Sequence, residues 1–168
     1  MATPIGDPAG YELAFREGKA AIGEQGATLK ETRDRVGTLV FAAAVVAGLA
    51  TSLGFTDGRA DRLRWWGVAG TGIGWVGFAV LTVAAFAIWR PFTGVFTLHS
   101  GVLVGSYVEG DPPASLAEMH RELALHLGNH AAYNREQLSD RLSWFTVALW
   151  AFLAEIGGLM LMLLDVAT

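Results

Sequence analysis

Three apolar blocks divide the chain, at residues 36–55, 65–89 and 143–164. Each is about as long as a helix rising 1.5 Å per residue must be to cross a hydrocarbon core about 30 Å thick. The last block, SWFTVALWAFLAEIGGLMLMLL, carries one charge, Glu155. The second begins and ends in tryptophan, Trp65-Trp66 and Trp89, whose rings favour the headgroup layer. Three transmembrane helices are therefore expected.

Outside the blocks the pattern turns amphipathic. Asp7-Pro8 opens a helix, with Asp as the cap and Pro at a first position that needs no N–H. Tyr11, Gly18, Gln25, Thr32 and Leu39 then recur every seven residues, and Phe15, Ile22, Leu29 and Val36 follow them by four. That is one helical stripe, half of it polar or glycine. A polar loop at 56–64 holds an Asp57-Gly58 turn signal, and Arg90-Pro91 closes the second span. Residues 92–114 alternate through Phe92, Gly94, Phe96 and Leu98, which predicts a loop or short hairpin. Ser115 and Glu118 have capping-box spacing. After them Leu116, Met119, Leu123, Leu127, Ala131, Asn134, Leu138 and Leu142 recur at helical intervals.

The pattern predicts an all-α membrane protein, a single membrane domain over residues 1–168. It has three transmembrane helices, two of them continuous with long cytosolic amphipathic helices at 7–35 and 115–142. Residues 8–35 and 115–142 are equal in length, so the two helices are expected to pair in parallel. Gln25 and Asn134 are the polar members of their seam, of the kind that fixes register.

Composition agrees. Of 168 residues 52% are apolar and 17% charged, with a mean hydropathy of +0.39, where a soluble domain carries about 25% charge. The net charge of −4 implies no nucleic-acid partner, and the absence of Cys removes disulfides and thiolate chemistry. No secretory leader is expected, since the first apolar block follows a charged segment and is too long for a signal core. Arg16, Lys19, Lys30, Arg33, Arg35, Arg90, Arg121, Arg135 and Arg141 fall on one side of the expected spans, against Arg59, Arg62 and Arg64 on the other. The positive-inside rule then places the N-terminus in the cytosol of a bacterial inner membrane and the C-terminus outside.

Glu155 is the first candidate for function, because an ionisable residue inside a span is costly and marks an ion path or a buried pair. A hydrogen bond to Thr71, Thr82 or backbone across the helices is the structural alternative. Gly67, Gly70, Gly74 and Gly77, at steps of three, four and three, make a helix-packing face on the second span, and Gly158 lets a neighbour approach beside Glu155. Glu122, His126 and His130 share metal-ligand spacing, but a solvated helix face accounts for them better, so no metal is expected. The GTGIG run at 70–74 lies in an apolar span without the lysine of a phosphate loop. No enzyme motif and no cofactor site is expected.

The run LKETRDRVGTLVFAAAVVAGLATSLGF resembles the opening of a family of small, mostly uncharacterised actinobacterial membrane proteins. The run SYVEGDPPASLAEMHRELALHLGNHAAYNREQLSDRLSWF resembles its central helix and last span. In architecture the family is similar to the SLATT and Pycsar-type membrane effector domains of prokaryotic conflict systems. This chain departs from them in its expected third span, and no attached sensor domain is expected. The resemblance implies a self-associating or partner-docking membrane protein, a signalling or membrane-perturbing effector. An accessory subunit of a transporter or other membrane complex, and a small ion or proton channel using Glu155, are the alternatives. The partners expected are the lipid bilayer and either further copies of the chain, as a homo-oligomer, or a partner membrane protein.

The topology is checked with reporter fusions: alkaline phosphatase joined after Thr168 gives activity and joined after Asp111 gives none. The reverse pattern overturns the orientation.

Overall fold

The computed structural model describes residues 7–55, 63–94, 109 and 114–167. They form three helices, α1 (Pro8–Phe55), α2 (Trp65–Trp89) and α3 (Leu116–Ala167), and no strand among the described residues. The segment 1–6, the Asp57-Gly58 turn and most of the expected loop or hairpin at 92–114 lie outside the described residues. All three helices are long and apolar enough to cross a membrane.

Local chemistry sets the helix starts. The Ala9 N–H donates to Asp7 Oδ1 at 3.2 Å, so Asp7 caps α1 ahead of Pro8. At α3 the Glu118 N–H donates to Ser115 Oγ at 3.3 Å and the Ser115 N–H donates to Glu118 Oε2 at 2.9 Å, a reciprocal capping box. These bonds hold the Glu118 carboxyl below the usual carboxylate range. Their contribution is present above the unfolded pKa and is lost as pH falls through the folded one. Pro91 stops α2 because it has no N–H and disfavours helix in the residue before it.

Two compact units are built from these helices. In the first, residues 8–30 of α1 lie along residues 116–139 of α3. Phe15 stacks on His120, Gly18 faces Leu127, and Gln25 Nε2 donates to the Ala131 carbonyl at 2.9 Å. Partner numbers rise together, so the segments run parallel. Ile22 and Leu29 are buried on one side, Leu123, Leu127 and Asn134 on the other.

The second unit packs residues 31–55 of α1, all of α2 and residues 140–167 of α3. On α2 the buried positions Gly67, Gly70, Gly74, Gly77, Leu81, Ala84 and Ile88 alternate in steps of three and four. On α3 Ala148, Ala151, Glu155, Gly158 and Met162 do the same. This three-and-four spacing is that of a coiled-coil seam. Three apolar clusters stack along it. Val36, Ala85 and Ile88 form the first, Ala43, Leu81, Ala84, Ala148 and Ala151 the second, and Ala50, Leu159 and Met162 the third. Most of these core residues are small, whereas large apolar side chains point out: Phe41 is 72%, Phe86 71% and Trp150 69% exposed. A water-soluble bundle sorts sizes the other way; lipid-facing helices gain from close backbone approach instead.

The closest approach is between Gly70 and Gly158. A Cβ on Gly158 would lie 2.5 Å from the Gly70 carbonyl oxygen and 2.5 Å from the Gly74 nitrogen. Both obstacles are backbone, so nothing yields short of helix separation. Gly157, next in the chain, meets nothing within 4 Å. Gly158→Val is expected to lower stability in detergent by about 1–3 kcal/mol, and Gly157→Val to change it by no more than about 0.5 kcal/mol. Chemical or thermal unfolding of the two variants tests this, and equal effects would contradict the packing described.

Candidate functional site

A helix leaves carbonyls without partners at its C-terminus and N–H groups without partners at its N-terminus. In α2 both ends receive side chains from the other helices. At the C-terminal end Arg141 of α3 is 1% exposed and donates through Nη1 to the carbonyls of Ile88 and Arg90, and through Nη2 to that of Pro91 at 3.2 Å. Arg33 of α1 reaches the same place, donating from Nη2 to the Arg90 carbonyl at 3.1 Å and from Nε to that of Ile88 at 3.4 Å. The two guanidinium groups cap the helix where a C-terminal glycine would otherwise do so, and their charges oppose the negative pole of its dipole. Arg90 turns to Asp140, paired at 3.0 Å. Burial, then the Arg33 and Arg90 charges, pull the Arg141 pKa down against Asp140. A guanidinium starts so high that it stays charged.

At the opposite end Asp165 accepts a hydrogen bond from the Arg64 N–H at 2.7 Å, and its carboxylate rests on Gly67, in the first turn of α2. An anion there meets the positive pole of the helix. Arg141 and Asp165 are 24 residues apart, about 36 Å along α3, and α2 with 25 residues is about 37 Å long.

Between the two caps sits Glu155. It is 0% exposed, and neither carboxylate oxygen has a hydrogen-bond partner among the described residues. α2 passes directly over it: a Cβ on Gly77 would lie 2.8 Å from the Glu155 nitrogen, and one on Gly74 3.5 Å from its carbonyl oxygen. The expected hydrogen bond from Thr71 or Thr82 is not made. Thr71 donates to the Gly67 carbonyl at 2.9 Å and Thr82 to that of Phe78 at 2.8 Å. A threonine inside a helix satisfies its hydroxyl on the carbonyl four residues back, and this local bond wins over a distant one. Apolar clusters close the core on both sides of Glu155, the one holding Ala148 and Ala151 and the one holding Leu159 and Met162.

Gly67, Gly70, Gly74 and Gly77 face Asp165, Gly158, Leu159 and Glu155 of the same chain. This glycine face is used internally, so any assembly through α2 has to use another face. Gln25 spans the parallel pair, and Asn134 is fully buried in it. Glu122 and His126 are exposed on α3, His130 is half-buried with its ring 5.4 Å from that of His126, and no metal-binding group of three appears among the described residues. The α3 stripe differs at its ends. Leu116 and Leu142 are exposed, and Arg141 takes the buried position, seven residues after Asn134, because the α2 carbonyls lie there to receive it.

Arg141, Arg33 and Asp165 were legible in the sequence only as charges flanking spans. The usable signal was the match between the Arg141–Asp165 spacing and the length of the second apolar block. No protein family, curated protein or solved structure matches this chain.

Replacing Arg141 by Met removes three hydrogen bonds to the carbonyl end of α2, leaving Ile88 and Arg90 with Arg33 alone, and is expected to cost about 2–4 kcal/mol of unfolding free energy. Arg141→Lys recovers only part of that, since one ammonium cannot reproduce the fork. Arg135→Met, at an exposed position, serves as the reference. A loss below about 0.5 kcal/mol for Arg141→Met would show that the cap is not what holds this end.

Proposed function

We propose that the chain is a bacterial inner-membrane protein with three spans and its N-terminus in the cytosol, which self-associates or docks on a partner membrane protein and acts as a membrane-perturbing effector. In this reading residues 8–35 and 115–142 stand in the cytosol as a parallel helix pair that receives the signal. Residues 36–55, 65–89 and 143–164 carry the response. The meeting of Arg33, Arg90 and Arg141 at one end of the three-helix unit supports that orientation under the positive-inside rule. The resemblance to actinobacterial membrane proteins and to SLATT and Pycsar-type effector domains supports the same reading.

The observation that carries the proposal is Glu155. A carboxyl buried at the middle of a span with no partner among the described residues lowers the stability of the packed state. Such a residue is explained if a second arrangement of the helices exists in which its polar group is used. The packed arrangement is closed, because apolar clusters lie on both sides of Glu155. Perturbation of the membrane therefore requires the helices to separate or to reassemble with other copies, and a pore through one closed chain is the less favoured alternative. An accessory-subunit role is the second reading, favoured by the caps at both ends of α2, which tie that helix to α3 in one register.

The test compares Glu155→Leu and Glu155→Gln with the native chain in cells carrying a potential-sensitive dye. The native chain is expected to depolarise the membrane. Glu155→Leu should insert, melt at the same temperature or higher, and depolarise at least tenfold less; Glu155→Gln should be intermediate. Depolarisation unchanged in Glu155→Leu sinks the proposal, and no depolarisation by any of the three favours the accessory subunit.

A further inference from the structure

The second unit has a cavity of about 540 Å³ on its outer side, lined by Arg33, Asp34, Gly37, Thr38 and Phe41 of α1 and by Trp89 of α2. The α1 residues fall at 33/34, 37/38 and 41, three to four residues per turn, so they form a single stripe on that helix. The stripe is graded. Its first turn is ionic; Gly37 and Thr38 are small; Phe41 is apolar and exposed. From Asp34 to Phe41 is seven residues, about 10 Å of helix. Trp89 closes the side, its ring 3.7 Å from where a Gly37 Cβ would stand.

Two features of the ionic turn select a ligand. Arg33 spends Nε and one Nη2 bond on the α2 carbonyls, which fixes the guanidinium in place, and Nη1 makes no hydrogen bond among the described residues. Asp34 has no ion pair or side-chain hydrogen bond among the described residues, although its neighbours Glu31 and Arg35 pair with each other. The rim thus offers an anchored cation and an unmatched anion side by side, above an apolar wall.

We propose that this cavity binds one phospholipid with a zwitterionic head bearing a primary ammonium, phosphatidylethanolamine. Arg33 Nη1 donates to the phosphate, Asp34 accepts from the ammonium, and an acyl chain runs past Gly37 along Phe41 and Trp89. An anionic lipid without an amine leaves Asp34 facing a like charge. A choline head brings a cation but no N–H for the carboxylate to accept from. The inference rests on the membrane reading of the chain, which flotation with liposomes checks separately.

The full chain is reconstituted in nanodiscs holding equal amounts of phosphatidylethanolamine, phosphatidylcholine and phosphatidylglycerol, and the lipid retained on release is measured by native mass spectrometry. One phosphatidylethanolamine is expected to be retained about threefold or more over each of the others. Asp34→Asn removes the preference while keeping the cavity, and Gly37→Leu, which fills the cavity from its floor, removes retention. Phe41→Ala weakens retention of all three lipids and stands in for Gly37→Leu if that variant fails to insert. Arg33 is left untouched because it also caps α2. Free phosphoethanolamine added to detergent-solubilised protein is expected not to bind, since it lacks the acyl chain. Equal retention of the three lipids by the native chain, an unchanged preference in Asp34→Asn, or retention as strong in the cavity variants overturns the site. Binding of free phosphoethanolamine as tight as that of the lipid would overturn the part assigned to the acyl chain. Failure to float overturns the membrane reading instead.

Discussion

α2 has no partner within itself for the backbone groups at its two ends, and in hydrocarbon or at its edge water cannot supply one cheaply. α3 supplies both. Arg141 reaches the carbonyls at the C-terminal end and Asp165 reaches the first turn at the other, with Arg33 of α1 adding a second fork to the carbonyl end. The spacing of the two caps on α3 equals the length of α2, so the two helices can be held in only one register. A slip by one turn, about 5.4 Å, would leave both caps out of reach. Everything else in the three-helix unit follows from that register, including which glycine meets which backbone.

Within that register the packing is of the kind membranes favour. Lipid tails are as apolar as leucine, so burying leucine gains little; bringing backbones together gains dispersion over many atoms. Gly70, Gly74, Gly77 and Gly158 allow that approach, and the large side chains are left on the outside. Glu155 sits one turn from the closest approach, under Gly74 and Gly77, with apolar clusters to either side. A packed core that holds a carboxyl with no hydrogen-bond partner among the described residues works against its own stability, and the proposed second arrangement rests on that tension.

The parallel pair at residues 8–30 and 116–139 uses a different chemistry. Its seam holds Ile22, Leu29, Leu123 and Leu127 but also Gln25 and the buried Asn134. Polar members in such a seam lower stability and specify alignment.

The sequence by itself determined the helix count, where the apolar blocks lie, the two capping residues Asp7 and Ser115, and which glycines share a face. All of these depend on composition and on periodicity along one helix, which are local. Only the tertiary structure decided what the glycine face meets, that Arg141 and not Leu142 is buried, that Asp165 caps a helix one hundred residues earlier in the chain, and that Thr71 and Thr82 bond to their own helix and not to Glu155. Each of these depends on the register between helices far apart in sequence. That register is set by a length match and by the needs of backbone groups at helix ends, which no hydrophobic pattern records.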